Sequence, residues 1–245
     1  MLHAVCTVPV APVRTGPDHK SEMSSQLLFG EYCTARETTQ DGFVHITVKA
    51  DGYEGWCQLN HITATDEKSF NTPGAGLAAG WVNDVLFNHT VMRIPFGSTV
   101  HPGISFGGEL WDCHTAVPSE ENLQKIAYTF LNTAYLWGGR SVFGTDCSGF
   151  TQTVFRFFNI ALKRDAHQQA AQGSTVDFLQ QARCGDLAFF DNEAGEIIHV
   201  GILQNDKAIL HASGKVQADH IDNSGIVHKQ TGQRMHRLRI IKRYF

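Results

Sequence analysis

The 245-residue chain changes its pattern near residue 118, and this change constrains the fold more than any other feature. Before it, short segments of strand character alternate with turns that contain Pro, Gly or Asp-Gly. These predicted strands are 26–31, 45–49, 53–59, 82–87, 90–94 and 108–111. Short strands at this spacing predict two small β-barrels, with a boundary near residue 75.

From Pro118 the apolar residues follow helical spacing and then form apolar strands. Ser119 is a predicted N-cap, and the stripe Leu123, Ile126, Ala127, Phe130, Leu131 predicts an amphipathic helix. A second predicted helix follows a glycine-rich loop, and four strands come after it, at 185–190, 197–203, 208–212 and 238–241. Helices followed by an antiparallel sheet predict an α+β domain.

Composition and charge exclude several classes of protein. The net charge of −4 offers no basic field for nucleic acid or anionic lipid, so we expect neither partner. No segment has the 18 or more apolar residues of a membrane span, and the N-terminus lacks a signal-peptide pattern, so we expect a cytoplasmic protein. The six cysteines are widely spaced and include no C-x-x-C pair, which argues against a disulfide framework and a zinc ribbon.

Cys147 differs from the other cysteines in its surroundings. It follows the loop Gly138–Gly144 and stands where a helix should begin. The free N–H groups of a helix start favour a thiolate and can bind an oxyanion. Cys147 is therefore a candidate nucleophile, although local sequence alone equally allows a buried structural cysteine.

Two histidines lie in apolar strands downstream. A hairpin centred on Asn205 would set His199 and His211 directly opposite each other on one sheet face. One ring could then act as a base and the other could orient it. Two half-buried strand histidines are the alternative. A zinc site would need a fourth ligand that the spacing does not offer, so we expect no metal.

Five motifs in this order resemble the NlpC-type family of papain-like cell-wall cysteine peptidases over residues 119–245. They are Tyr135-Leu136-Trp137-Gly138-Gly139, Asp146-Cys147-Ser148-Gly149-Phe150, Gly185-Asp186-Leu187, His199-Val200-Gly201-Ile202 and His211-Ala212-Ser213. The upstream β segments resemble the bacterial SH3-like domains of the γ-D-glutamyl-L-diamino acid endopeptidase branch, also called dipeptidyl-peptidase VI. The resemblance implies SH3-like domains at 1–75 and 76–117, and a papain-like domain at 118–245 with helices packed on an antiparallel sheet.

The resemblance also implies roles for single residues. Cys147 would attack the carbonyl, His199 would be its base, His211 would orient His199, and Tyr135 would assist the oxyanion site. The residues implied to bind substrate are Glu31, Tyr53, Asp146, Ser148, Asp165 and Trp137. Glu31, Tyr53 and Asp146 would hold the ammonium group of an N-terminal L-alanine. The family often has serine after the Asp165 position, and this chain has Ala166, which removes one possible contact with D-glutamate.

The implied function is hydrolysis of the γ-D-glutamyl bond to L-lysine or diaminopimelate in small muropeptides, during peptidoglycan recycling. We expect a monomer without a cofactor, whose partner is the cell-wall peptide itself. Two alternatives remain open. The same thioester could pass to an amine, which would make the chain an acyltransferase, or the chain could bind cell-wall peptides without cleaving them.

Overall fold

The computed structural model describes residues 2–245, which divide into two compact units. The first unit comprises the chain up to Ala116 together with Trp137–Val142. The second comprises Val117–Leu136 and Phe143–Phe245. Within the described residues, no helix is long and apolar enough to span a membrane. All six cysteines lie within residues 2–245 and are free thiols.

Seven antiparallel strands form the main sheet of the first unit, in the order β3-β2-β6-β5-β4-β1-β7. They are β1 (Leu2–Cys6), β2 (Val10–Arg14), β3 (Met23–Leu28), β4 (Tyr32–Thr38), β5 (Phe43–Val48), β6 (Glu54–Gln58) and β7 (Ile62–Ala64). The period-two pattern of β5 buries Val44, Ile46 and Val48 in the core and leaves His45 and Thr47 partly exposed. Alternation of this kind is what the sequence predicted for 45–49.

The predicted strand 26–31 ends earlier than expected, at Leu28. Gly30 follows in a left-handed conformation (φ +79°), and a Cβ atom there would lie 2.0 Å from the carbonyl oxygen of Thr99. Only glycine fits that backbone, so the chain turns at this point. Glu31 therefore lies in the turn between β3 and β4 and is buried.

The remainder of the first unit consists of one short helix and small sheets. Its elements are α1 (Glu67–Asn71), β8 (Gly76–Ala78), β9 (Val82–Phe87), β10 (Thr90–Pro95), β11 (Thr99–Val100), β12 (Ser105–Gly107), β13 (Leu110–Trp111) and β14 (Arg140–Ser141). Strands β10-β9-β12 and β11-β8-β13 form two sheets around Phe29, Ala78, Val85, Ile94 and Val100. Both predicted SH3-like segments lie in this one compact unit, and their division near residue 75 stays a prediction.

Three helices and a short strand lie in the first half of the second unit. They are α2 (Glu120–Tyr128), β15 (Gly144–Thr145), α3 (Cys147–Arg156) and α4 (Ala166–Ala170). Ser119 caps α2 by accepting a hydrogen bond from the N–H of Asn122, as predicted. The helix ends at Tyr128, however, and Leu131 of the predicted stripe is 39% exposed in the turns beyond it.

The rest of the second unit is a sheet in the order β16-β22-β17-β18-β19-β20-β21. Its strands are β16 (Ser174–Val176), β17 (Leu187–Asp191), β18 (Ile197–Leu203), β19 (Ala208–Ser213), β20 (Lys215–Asp222), β21 (Gly225–Val227) and β22 (Arg234–Arg243). Because β21 also pairs with β22, strands β17 to β22 close on themselves. The sequence predicted only four of these seven strands, in one antiparallel sheet. The closed arrangement of β17 to β22 corrects that prediction.

Candidate active site

The nucleophile candidate is the first residue of α3, as predicted. Asp146 caps the helix by accepting the N–H of Gly149 at 2.7 Å, and Cys147 follows it, 7% exposed. The first N–H groups of a helix have no partner within the helix. Cys147 thus lies beside backbone donors that could bind an oxyanion.

The electrostatic surroundings of the Cys147 sulfur differ from the prediction. Burial and the nearby carboxylate of Asp146 raise the pKa of the thiol to about 12. The N–H groups of Val200 and Ser148 and the charge of Arg164 act in the opposite direction and lower the pKa, but by less. The helix start alone would favour the thiolate. Burial outweighs it here, so the free site holds a neutral thiol.

His199 and His211 lie side by side on one face of the sheet, although their predicted register is wrong. His211 is opposite Gly201, so that His199 is its diagonal neighbour. The turn is centred on Asp206 rather than Asn205, with the N–H of Gln204 bound to the carbonyl oxygen of Ala208. The error of two residues keeps both rings on the same face. The Nε2 atom of His199 is 2.9 Å from Nδ1 of His211.

A third member of this polar chain was not predicted. Asp219, on β20, places its Oδ2 atom 3.0 Å from Nε2 of His211, and both side chains are buried. Burial would raise the pKa of Asp219, but hydrogen bonds from His211, the N–H of Lys229 and the Gln217 amide lower it to about 2. The carboxylate is therefore ionised at neutral pH.

His236, on β22, is a second residue that sequence reasoning missed. Its ring stacks on that of His199, with centroids 4.1 Å apart and planes 15° from parallel. Burial lowers the pKa of His199 well below its ordinary value, and His236 and His211 add to this effect. Burial and His211 lower the pKa of His236 to about 4. Both stacked rings are thus neutral at neutral pH.

The three histidines His199, His211 and His236 bring ring nitrogens within 4.8 Å of one another, which is close enough for a shared metal ion. Ring nitrogens bind metals along lone pairs that lie in the ring plane. The nearly parallel planes of His199 and His236 do not let their lone pairs converge, and both nitrogens of His211 are hydrogen-bonded. In this conformation the residues do not fit a metal ion.

Tyr135 is half-buried and lies near the nucleophile. Burial raises the pKa of its hydroxyl above the ordinary value, and the negative charges that Cys147 and Asp146 can carry raise it further. The hydroxyl therefore stays protonated and can donate a hydrogen bond. This is the property that the predicted oxyanion role requires, and the role itself stays a prediction.

Asp146 and Ser148, two predicted substrate-binding residues, are held by Arg164. The guanidinium contacts both carboxylate oxygens of Asp146 and donates to Oγ of Ser148 at 2.9 Å, and all three side chains are buried. No role was predicted for Arg164 from the sequence. Asp165 beside it caps α4 in a capping box with Gln168.

Three predicted substrate-binding residues belong to the first unit. Both carboxylate oxygens of Glu31 are bound by Arg140, at 2.8 and 3.0 Å, and Oε2 also accepts the N–H of Leu28. Tyr53 packs partly buried against the core of the main sheet. Trp137 is 60% exposed, and its indole N–H donates to Glu22. Their roles in binding stay predictions.

Two family models each match a segment of the chain. Residues 132–235 match the model of the NlpC/P60 family. Residues 13–62 match the bacterial dipeptidyl-peptidase SH3 domain. The first match contains Cys147, His199, His211 and Tyr135, and the second contains Glu31 and Tyr53.

Curated relatives carry related names. The chain is 33% identical over 122 residues to a γ-D-glutamyl-L-lysine dipeptidyl-peptidase of Bacillus cereus, which is 48% of this chain and 36% of that protein. It is 42% identical over 96 residues to the protein of the same name from Bacillus subtilis, 38% of this chain and 32% of that protein. The matched segments thus span about a third of these two relatives. Dipeptidyl-peptidase 6 of Lysinibacillus sphaericus is 21% identical over 94% of this chain and 95% of its own length.

Solved structures share the fold. An NlpC/P60 family protein from Bacillus cereus superposes with a TM-score of 0.79 at 19% identity, covering 99% of both chains. An NlpC/P60 endopeptidase from Photobacterium damselae superposes with a TM-score of 0.66 at 17% identity, covering 98% of this chain and 66% of that one. At these identities the likeness establishes the fold alone.

Proposed function

Because the chain contains an NlpC/P60 domain and a bacterial dipeptidyl-peptidase SH3 domain, we propose that it is a cysteine peptidase acting on peptidoglycan peptides. One observation carries this proposal. A buried thiol at a helix start, Cys147, lies beside the strand of His199, whose ring is oriented by His211. A nucleophile, a base and an orienting group are the parts that thiol catalysis needs.

The first half of the proposed reaction forms a thioester. The thiol proton of Cys147 passes to Nδ1 of His199, the nitrogen that is not bound to His211, and the sulfur attacks the carbonyl carbon of the substrate. Backbone N–H groups at the start of α3 and the Tyr135 hydroxyl stabilise the oxyanion. The tetrahedral intermediate then breaks its C–N bond, and His199 gives the proton to the leaving amine.

The second half hydrolyses the thioester. Neutral His199 removes a proton from a water molecule, whose oxygen attacks the thioester carbonyl. The C–S bond breaks, the proton returns to the sulfur of Cys147, and the carboxylic acid leaves. In the first half of the reaction, burial disfavours a free thiolate. The transfer of the Cys147 proton and the attack of its sulfur are therefore expected to occur together.

The substrate in this proposal is a muropeptide with a free N-terminal L-alanine, cleaved between γ-D-glutamate and L-lysine or diaminopimelate. The names of the Bacillus relatives support the γ-D-glutamyl-L-lysine bond. The matched SH3 segment, with Glu31 and Tyr53, supports selection of a free amine. Glu31 already binds Arg140, so an incoming ammonium group would share its carboxylate.

We also propose a papain-like arrangement of the peptidase domain, with helices packed on the sheet. The contacts of α3 with β18 and β19 support this arrangement.

The proposed setting is the cytoplasm, in recycling of imported peptides. A free-amine requirement suits short peptides rather than assembled cell wall, where the L-alanine amine is bound.

The test is a mass-spectrometric digest of L-Ala-γ-D-Glu-L-Lys beside its N-acetylated form. Release of L-Ala-D-Glu from the free peptide alone is the expected result. Cleavage of both peptides would contradict the amine selection but keep the peptidase proposal. A new amide formed only when an amine is added would indicate acyl transfer. Retention of this peptide and its diaminopimelate counterpart without turnover would indicate a binding protein.

A further inference from the structure

The hydrogen-bonded chain of the candidate site continues beyond the two histidines. His199 binds His211 at 2.9 Å, and His211 binds Asp219 at 3.0 Å. We propose that Asp219 is a positioning residue that fixes the tautomers of both rings, so that His199 presents its lone pair to Cys147. This inference rests on the proposed function, and it extends that function to a residue two hydrogen bonds from the reacting atoms.

Asp219 is held so that it can only accept hydrogen bonds from the ring. Its Oδ1 atom accepts the N–H of Lys229 at 2.7 Å. Its Oδ2 atom accepts the Gln217 amide at 2.7 Å and faces Nε2 of His211. The side chain is 2% exposed, which leaves little room for another rotamer. An ionised carboxylate has no hydrogen to donate.

The tautomers follow in two steps. Because Asp219 accepts, Nε2 of His211 must carry a hydrogen, and in the neutral ring Nδ1 is then an acceptor. Because that Nδ1 accepts, Nε2 of His199 must donate to it, and the lone pair of neutral His199 is left on Nδ1. A base needs that lone pair on the side of the thiol, and the carboxylate secures it from β20.

The same carboxylate compensates the charge that the reaction creates. When His199 takes the thiol proton it becomes an imidazolium in a buried site, where an uncompensated charge is costly. His211 transmits the negative charge of Asp219 through two hydrogen bonds without changing its own contacts. His236 cannot provide this compensation, because its imidazole has no negative form at neutral pH.

Asp219→Asn is expected to change the tautomers of His211 and His199 while the side chain at position 219 keeps nearly the same shape. The N–H of Lys229 pins the amide oxygen, so the NH₂ group of the new residue faces His211. His211 must then accept a hydrogen bond at Nε2 and donate one from Nδ1. His199 must in turn accept at Nε2, so the hydrogen of the His199 ring moves to Nδ1. We expect kcat to fall by about 10²- to 10⁴-fold, the range that general acid–base catalysis contributes, with KM nearly unchanged.

Gln217→Ala is the matched control. It removes another hydrogen bond to the same Oδ2 atom and leaves both the charge and the His211 contact in place. We expect its kcat to stay within about threefold of the wild type, because Asp219 keeps its charge, its contact with His211 and the N–H of Lys229 that holds its other oxygen. An equal loss of kcat in both variants would overturn the proposal and indicate a merely structural role.

Two measurements do not depend on the substrate. Nitrogen-15 NMR of histidine-labelled protein at neutral pH should show a hydrogen on Nε2 of both His199 and His211. In Asp219→Asn both hydrogens should be on Nδ1. Alkylation of Cys147 by iodoacetamide should slow in Asp219→Asn and not in Gln217→Ala.

Nδ1-hydrogen tautomers in the wild type would overturn the proposal even if Asp219→Asn failed to fold. A wild type that has the expected tautomers and alkylation but cleaves no peptide would contradict the proposed function alone.

Discussion

The ring planes of His199 and His236 lie 15° from parallel with centroids 4.1 Å apart, so the candidate base is covered on one face by a second imidazole. Burial and this neighbour lower the pKa of His199 well below its ordinary value of 6.5. Burial and the carboxylate of Asp146 raise the pKa of Cys147. Both groups are therefore neutral in the free protein, and in the proposed reaction the ion pair forms only during proton transfer.

The pH dependence follows from these directions. Catalysis needs neutral His199, and because its pKa is lowered, this form persists below pH 6.5 and is lost as the pH falls through the lowered pKa. The thiol form of Cys147 persists until the pH approaches about 12. We expect kcat/KM to be level across neutral pH with its acid limb below 6.5. A thiolate band in the ultraviolet at neutral pH, removed by Cys147→Ala, would contradict the neutral pair.

Cys147→Ala should abolish peptide turnover, because it removes the sulfur that forms the thioester in the proposed reaction. Peptide binding and the thermal unfolding temperature should change little, since a small side chain replaces another at the helix start. The matched control is Cys184→Ala, which removes a partly exposed thiol outside the site and should retain activity. Substantial turnover by Cys147→Ala would show that the nucleophile is another residue.

Tyr135→Phe removes a protonated hydroxyl beside Cys147 and Asp146. If it donates to the oxyanion, kcat should fall about 10²- to 10³-fold with KM nearly unchanged, as for other oxyanion donors. Tyr128→Phe, at a 42% exposed position of α2, is the control and should leave both constants unaltered. Steady-state kinetics on the free muropeptide measures both. A loss confined to KM would assign Tyr135 to substrate binding instead.

Arg164→Leu tests the buried support beneath the nucleophile. It leaves Asp146 buried without its guanidinium partner, and we expect the free energy of unfolding to fall by about 3–5 kcal/mol. Arg234→Leu breaks a half-exposed pair with Asp222 and should change it far less, because water screens that pair. Urea denaturation measures both variants. Equal effects would mean that the Arg164–Asp146 pair is not what holds this end of α3.

The sequence predicted Cys147, His199 and His211 as the candidate nucleophile, base and orienting residue, because each lies in a distinctive local motif. It missed Asp219 for a physical reason. The inward positions of β20 are Gln217, Asp219 and Ile221, so two of the three are polar and the apolar alternation that identifies a strand is broken. Asp219 thus contributes to the polar pattern that kept β20 from being predicted, and it is also the residue that we propose to add to the site.

The hairpin register shows how far a local pattern can be taken. Asn205 and Asp206 both suit a turn, and moving its centre from one to the other changes every pair by two residues. Since side chains alternate with period two, this error preserved the face and changed only the partner. By contrast, nothing local indicates that Arg140 binds Glu31, 109 residues away.

That ion pair affects how such a chain can evolve. Arg140 follows α2 in the sequence, yet Trp137–Val142 folds with the first unit. A genetic crossover near residue 117 would exchange the first unit but inherit this loop from the other parent. The imported unit would then need a carboxylate where Glu31 stands, or it would bury an arginine without a counter-charge. The two parts of this gene are therefore expected to be inherited together rather than shuffled as independent modules.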